Sequence, residues 1–128
     1  MKILFDTHAF LWWDSEPERL SALALEACTD PSNELYLSIA SLWEMQIKIG
    51  LGKLLLRLSL ESILQHQQSQ NSLQILPILP SHIFALASLP SLHKDPFDRL
   101  LVSQAGTEGC CLLSSDSFIS QYPIDILW

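Results

Sequence analysis

Basic residues are scarce in this chain of 128 residues, which has 7 Lys and Arg against 14 Asp and Glu and a formal net charge of −7. A surface of that sign repels polyanions, so the composition argues against broad electrostatic binding to nucleic acid. The basic residues are unevenly spread, however, and a local basic rim is compatible with the acidic total. Those between positions 48 and 99 are Lys48, Lys53, Arg57, Lys94 and Arg99.

Cysteine is also scarce, with 3 residues at Cys28, Cys110 and Cys111. None of their spacings matches the C-x-x-C pairs of zinc sites, and the odd number argues against a disulfide framework. We interpret the three as small buried apolar residues of a protein kept in a reducing compartment, which indicates the cytoplasm.

A long uninterrupted apolar run is absent. The stretch 62–93 contains no Asp, Glu, Lys or Arg, but glutamines, Asn71, Pro77 and Pro80 interrupt it. It therefore does not predict a membrane-spanning helix. The first residues lack the apolar segment and cleavage site of a signal peptide. Glycine-rich phosphate loops, H-E-x-x-H and G-x-S-x-G are missing too, which removes support for nucleotide hydrolysis, dinucleotide binding and serine hydrolysis.

Short apolar runs alternate with helical patterns along the chain. At 48% hydrophobic residues, residues 1–128 are expected to form one compact domain with a sizeable core. Strands are predicted near 2–5, 35–37, 74–76, 110–113 and 124–127. Helices are predicted near 8–13, 17–28, 39–49, 59–70, 81–88, 96–108 and 117–121. This alternation predicts an α/β fold in which a parallel sheet is covered by helices on both faces.

Two of the apolar runs lead into an aspartate. The first run ends at Asp6, and the run at 111–113 continues through two serines to Asp116. Ligand sites of open α/β sheets lie beyond the carboxyl ends of the strands, so both carboxylates are expected at that edge. Glu44 lies on the helix after the second strand, and Asp98 lies in a first helical turn that points back to the same edge.

Local helix chemistry can explain each acid taken alone. Asp6 and Asp116 have the positions of helix or turn caps. Glu44 completes a capping-box spacing that begins at Ser41, and it precedes Lys48 by four residues, which is the spacing of a helical ion pair. The fourth acid follows a capping aspartate and a proline, in a first turn where the helix dipole favours negative charge.

The four acids taken together predict a cation site. Carboxylates about 5 Å apart repel by roughly 3 kcal/mol per pair at an effective dielectric constant near 20. Such a cluster requires bound cations or shifted pKa values. Oxygen ligands select Mg²⁺ or Mn²⁺ over zinc, and these ions support hydrolysis of a phosphodiester by an activated water.

The segments that carry these acids resemble the PIN-domain ribonuclease toxins of the VapC type. They are DTHAFLWW (6–13), SIASLWEMQIKIGLGKL (38–54), LPSLHKDPFDRLLVSQA (89–105) and LLSSDSFISQY (112–122). The resemblance implies a PIN-like three-layer sandwich, with a five-stranded parallel sheet, and an acidic Mg²⁺ or Mn²⁺ pocket. It also implies RNA cleavage, a homodimer and neutralisation by a VapB-like antitoxin.

Position by position, the acids of this family match Asp6, Glu44, Asp98 and Asp116. The resemblance implies that Asp6 and Asp98 are direct metal ligands. Glu44 and Asp116 would bind the metal directly or through water, and one metal ion or two are compatible with four acids. Asp95, one turn before Asp98, is interpreted as a helix cap.

Polar and basic neighbours of the acids are candidates for contacts to the RNA substrate. Thr7 and Ser114 each place a hydroxyl beside an acid, and Lys48 and Arg99 carry charges that suit phosphate. Many members of the family have Thr where this chain has Ser114, whose hydroxyl can make the same bond. Turn hydroxyls and ordinary surface charges are the alternative interpretation.

Histidines and tryptophans near the acids have less distinctive patterns. His8 is interpreted as structural, whereas His93 fits a loop, a surface or a substrate-contact role. Trp12, Trp13 and Trp43 lie at helical spacing beside aliphatic residues, which favours core or subunit interface over base stacking.

The leading hypothesis is a cytoplasmic, metal-dependent endoribonuclease that acts as the toxin of a type II toxin–antitoxin system, without membrane association. Alternatives are a PIN-type nuclease without a toxin role, an aspartate-dependent phosphatase that uses Asp6, and a receiver module. The phosphatase usually has a second Asp where this chain has His8, and a receiver needs paired acids in the first loop.

Overall fold

A computed structural model describes residues 1–128. The centre of the protein is a sheet of five strands. The strands are β1 (Lys2–Phe5), β2 (Glu34–Ser38), β3 (Gln74–Leu76), β4 (Cys111–Leu113) and β5 (Ile126–Leu127). All neighbouring pairs are parallel, in the order β3-β2-β1-β4-β5. The predicted five-stranded parallel sheet is confirmed.

Six α-helices connect or flank these strands. They are α1 (Thr7–Ser15), α2 (Ala22–Thr29), α3 (Ile39–Gly50), α4 (Leu60–Asn71), α5 (Pro80–Ala85) and α6 (Pro96–Glu108). Short 3-10 turns cover Pro17–Arg19, Leu86–Ser88 and Ile119–Gln121. None of the helices combines the length and apolar character needed to cross a bilayer.

The predicted helix at 17–28 is in fact a 3-10 turn followed by α2. Leu20 between them is extended, and the hydroxyl of Ser21 accepts the backbone N–H of Ala24 at 3.0 Å. Because a serine cap satisfies N–H groups that a preceding helical turn would otherwise have bonded, α2 begins anew at this point. The helix predicted at 81–88 likewise becomes a 3-10 turn after Ala85.

Side chains of β1 alternate between two apolar cores. Ile3 and Phe5 belong to a core shared with α1, α2 and α4, whereas Leu4 belongs to a core shared with α6. All three are fully buried. A strand that is apolar on both faces is the expected centre of a parallel sheet covered by helices on both sides, so the three-layer prediction is also confirmed.

The chain changes direction across the sheet between β1 and β4. From β1 it proceeds outward to β2 and β3, while β4 and β5 lie on the other side. Loops that leave the two adjacent strands at such a switch point diverge, which opens a crevice at the carboxyl edge. The register pairs Phe5 with Leu113. The residues that follow the two strands, Asp6 and Ser114, therefore lie side by side at this crevice.

Candidate active site at the sheet switch point

Asp6 is a buried carboxylate with both oxygens hydrogen-bonded. Only 6% of it is exposed. Its Oδ1 accepts the backbone N–H of Ala9 at 2.6 Å, which caps α1, and its Oδ2 accepts the hydroxyl of Ser114. Burial raises the pKa of this carboxyl, and the charge of Asp116 adds to the rise, while the two hydrogen bonds oppose it. The helix-cap interpretation is thus confirmed, and the cap also lies in the crevice.

Ser114 connects Asp6 to the other strand-ending acid. Its hydroxyl donates to Asp6 and accepts the backbone N–H of Asp116 at 3.1 Å. The Oδ1 of Asp116 in turn accepts the backbone N–H groups of Phe118, at 2.7 Å, and Ile119, at 3.4 Å. Asp116 is therefore a turn cap, as predicted, held within the same short chain of hydrogen bonds as Asp6.

Glu44 is buried in α3, and the predicted capping box at Ser41 is wrong. The helix is capped three residues earlier, where the hydroxyl of Ser38 accepts the N–H of Ala40 at 3.0 Å, because β2 ends at Ser38. Ser41 and Glu44 consequently lie inside the helix, on its buried face.

The side chain of Glu44 is held from two sides. The hydroxyl of Thr7 donates to Oε1 at 2.6 Å, and the ammonium group of Lys48 lies 3.1 Å from Oε2. The predicted i,i+4 ion pair is present. Thr7 is itself buried, at 3% exposure, so its hydroxyl links α1 to α3 beneath the site.

Asp98 lies in the first turn of α6, and the pKa of its carboxyl is strongly raised. The side chain of Asp95 accepts its backbone N–H at 3.2 Å, which confirms Asp95 as the cap. The pKa of Asp98 is raised to about 7, chiefly by burial and then by the charge of Asp95. A hydrogen bond from His93 opposes this rise, whereas the charges of Glu44 and Asp116 add to it. The charges of two of the other predicted acids therefore affect the pKa of Asp98.

The structure brings the four predicted acids to one edge of the sheet. No three His, Cys, Asp or Glu side chains approach closely enough to form a ready metal-binding group. In donor type, however, four carboxylates fit a hard cation such as Mg²⁺ or Mn²⁺. The pKa values of Asp6 and Asp98 are raised chiefly by burial, and the charges of neighbouring acids add to both rises. Lys48 is the one Lys or Arg that pairs with any of the four.

A group of side chains behind Asp98 was not predicted. His93 lies 3.4 Å from the Oδ2 of Asp98 through Nε2 and 2.9 Å from the hydroxyl of Tyr122 through Nδ1. Its ring stacks on Phe118, with centroids 5.6 Å apart and planes at 6°. Arg99 donates to the hydroxyl of Tyr122 and to a backbone carbonyl, at 3.2 and 2.9 Å. The position of His93 in the HKDPFD segment could have indicated this group from the sequence, whereas no pattern in the sequence pointed to Tyr122.

The remaining candidates occupy different environments. His8 is exposed on α1, with its ring centroid 6.1 Å from that of Trp12. Trp12 and Trp13 pack against the core, as predicted. Trp43 is 60% exposed and meets Phe97 edge to face, with centroids 5.3 Å apart. The roles of Thr7, Ser114, Lys48 and Arg99 in substrate contact stay predictions.

The resemblance in sequence implied a five-stranded parallel sheet, which the structure has. The chain belongs to the PIN domain family, whose model matches residues 3–124. Among individual relatives, it is 31% identical over 115 residues to Ribonuclease VapC22 of Mycobacterium tuberculosis (strain ATCC 25618 / H37Rv), a match that covers 89% of this chain and 86% of that protein.

Two solved structures share the fold. VapBC2 from Rickettsia felis, bound to a DNA fragment from its promoter, superimposes with a TM-score of 0.70 at 20% identity, covering 98% of this chain and 96% of the other. FitAcB from Neisseria gonorrhoeae gives a TM-score of 0.53 at 19% identity, covering 91% and 89%. These similarities confirm the predicted PIN fold.

Proposed function

We propose that the protein is a metal-dependent endoribonuclease that acts as the toxin of a type II toxin–antitoxin system. The observation that carries the proposal is the placement of Asp6, Glu44, Asp98 and Asp116 at the switch point, where two of them have raised pKa values. The relationship to a protein named as a ribonuclease supports the reaction class. The proposed cofactor is Mg²⁺ or Mn²⁺, as the all-oxygen donor set favours.

The role of each acid in metal binding is assigned from how firmly its side chain is held. Asp6, with both oxygens hydrogen-bonded, provides a rigid position, whereas Asp98 is 18% exposed and less constrained. We assign these two as direct ligands, with Glu44 and Asp116 as ligands that act directly or through water. When bound, the cation supplies an activated water and stabilises the oxygen that leaves.

Several neighbours act by positioning these carboxylates. Thr7 fixes one oxygen of Glu44, and Lys48 offsets its charge at 3.1 Å. Ser114 orients Asp6, and His93 orients Asp98. Because a carboxylate displaced by about 1 Å can no longer share a ligand sphere, loss of these bonds should weaken cation binding before it affects the fold.

The proposed partners are an RNA substrate, a VapB-like antitoxin and a second copy of the chain. The fold similarity to VapBC2 and FitAcB supports an antitoxin partner. The proposed location is the cytoplasm, in keeping with three free cysteines, two of them buried. The phosphatase alternative is disfavoured because such enzymes usually have a second aspartate two residues after the nucleophile, where this chain has His8.

Cleavage of structured RNAs by the purified, antitoxin-free protein tests the proposal. Reactions would contain Mg²⁺, Mn²⁺ or EDTA, with Asp6→Asn and Asp98→Asn as site variants. Asp125→Asn, at an exposed aspartate outside the site, is the matched control. We expect EDTA and both site substitutions to reduce cleavage at least about 100-fold, equivalent to ~2.7 kcal/mol, and the control to leave it unchanged. Unaltered cleavage in EDTA and in both site variants would refute metal catalysis.

Expression in a growing bacterial culture tests the toxin role separately. Growth should stop on expression of the wild-type protein and continue with Asp6→Asn. Co-expression of a small open reading frame from beside the gene should restore growth, as expected of an antitoxin. Normal growth despite active, correctly folded wild-type protein would favour the nuclease without a toxin role.

A further inference from the structure

A cleft of about 480 Å³ lies between the end of α3 and the start of α6, and Glu44 is the one of the four acids that lines it. Lys48, Lys53 and Lys94 line it, together with Glu44 and Asp95. Three of only 7 Lys and Arg thus meet in one depression of a protein whose net charge is −7. We call this depression the lysine cleft.

Two of the three lysines are without an acidic partner. Lys48 pairs with Glu44, but neither Lys53 nor Lys94 has a carboxylate oxygen within 4.0 Å, and both are exposed. Lys53 is brought back beside Lys48 by the turn after α3, in which its backbone N–H donates to the carbonyl of Lys48 at 2.8 Å. Lys94 directly precedes the residue that caps α6. Ammonium groups held on a defined backbone, without counter-ions from the protein, suit a chain of phosphates.

One rim of the lysine cleft carries aromatic side chains. Phe97 lines the cleft, and Trp43 packs edge-on against Phe97 with the ring planes at 73°. Trp43 is 60% exposed, although it lies on the same helix as the buried Glu44. Proteins that bind single-stranded nucleic acid combine a cationic groove, which follows the phosphates, with exposed aromatic rings, on which bases stack.

We infer that the lysine cleft binds the sugar–phosphate chain of single-stranded RNA on one side of the bond that is cut, with a base stacked on Trp43. The inference rests on the proposed ribonuclease function, because Glu44 belongs both to the cleft and to the acidic site. A strand that follows the cleft therefore passes Glu44. Lys53 and Lys94, which have no acidic partner, also provide local attraction that the net charge of the whole protein does not.

The test is the salt dependence of binding, measured by fluorescence anisotropy with a labelled single-stranded oligoribonucleotide in EDTA. Each contact between a lysine and a phosphate adds about 0.7 to the slope of log affinity against log salt for single strands. The double variant Lys53→Gln/Lys94→Gln should lower this slope by about 1.4. Between 50 and 200 mM salt, the wild-type affinity should therefore fall about sevenfold more than that of the variant.

A matched control removes the same charge elsewhere. Lys2→Gln/Arg57→Gln changes two exposed basic residues outside the lysine cleft and should leave the slope unchanged. Trp43→Ala should weaken binding about 5- to 150-fold without a change in slope, since stacking involves no released counter-ion. Light scattering should give the same molecular mass for the wild type and for all variants.

An unchanged slope in Lys53→Gln/Lys94→Gln would overturn the inference. An equal fall in slope for both double variants would also overturn it, because the slope would then reflect the total charge of the protein alone. A fall in molecular mass on substitution of Trp43 or the two lysines would make the lysine cleft a subunit interface and would also overturn it. Failure of the wild-type protein to cleave RNA with Mg²⁺ would contradict the proposed function alone, since binding is measured without metal.

Discussion

Replacement of Asp98 by Asn should stabilise the protein at neutral and alkaline pH while it abolishes cleavage. The carboxyl lies in an environment that disfavours its charge, because burial and the neighbouring charge of Asp95 raise its pKa from 3.8 to about 7. Asn has almost the same shape and carries no charge. The substitution therefore removes the unfavourable ionisation together with the proposed metal ligand, which is a trade expected of a functional site.

The magnitude follows from the pKa shift. A rise of about three units corresponds to about 4 kcal/mol at 1.36 kcal/mol per unit, which is an upper bound. Since the side chain is partly exposed, solvent screening reduces the expected gain to about 1–2 kcal/mol. Below pH 3.8 the carboxyl is protonated in the folded and unfolded states, so Asp and Asn are equivalent. Between that pH and about 7 the folded state binds more protons, and the wild type loses stability as the pH rises.

Urea unfolding at pH 4 and pH 8, in EDTA, measures this difference. We expect a gain near zero at pH 4 and a gain of about 1–2 kcal/mol at pH 8, or on the order of 4 °C in Tm per kcal/mol. Asp125→Asn, at an exposed position, should change stability at neither pH. An equal gain at both pH values, or a loss at pH 8, would refute the electrostatic reasoning.

Three other perturbations give separate measurements. Mg²⁺ should raise the Tm of the wild type, by the equivalent of ~2.7 kcal/mol at a 100-fold excess over Kd, and should leave the Tm of Asp98→Asn unchanged. Identical wild-type Tm values in Mg²⁺ and in EDTA would contradict a metal site. Thr7→Val should destabilise by about 1–3 kcal/mol in urea unfolding, because the buried Glu44 loses its 2.6 Å hydrogen bond. A change below about 0.5 kcal/mol would show that the bond contributes little. His82→Leu should lower the free energy of unfolding by a similar ~1–3 kcal/mol, since the buried ring forms hydrogen bonds with a backbone N–H and with Glu108, each at 2.9 Å. A variant as stable as the wild type would refute this reasoning.

Much of the fold follows from local patterns. The cap at Asp6, the cap and proline at Asp95–Pro96, and the apolar run at β1 are interactions between residues a few positions apart, so their signals are contiguous in the sequence. The predicted strands and the longer helices therefore agree closely with the structure. The break before α2 was missed because Ser21 fits a helix interior and a cap equally well until its hydroxyl is seen to accept an N–H.

The error at Ser41 has a non-local cause. Ser38 and Ser41 are both plausible caps by sequence, and the choice depends on where β2 leaves the sheet. The hydroxyl of Ser38 also donates to the buried side chain of Gln104 at 2.6 Å, a residue 66 positions away. A contact between residues so far apart produces no local pattern in the sequence from which it could be predicted.

The sequence by itself predicted which acids form the site and that each would lie at one edge of a parallel sheet, because strand ends and helix starts are locally encoded. Only the tertiary structure decided the strand order, and hence the switch point where Asp6 meets Ser114 across 108 positions of the chain. It also decided which residues of the possible basic rim come together, since Lys53 and Lys94 line one cleft beside Glu44. The physical reason is that strand order and helix docking depend on burial summed over the whole chain, which no single segment specifies.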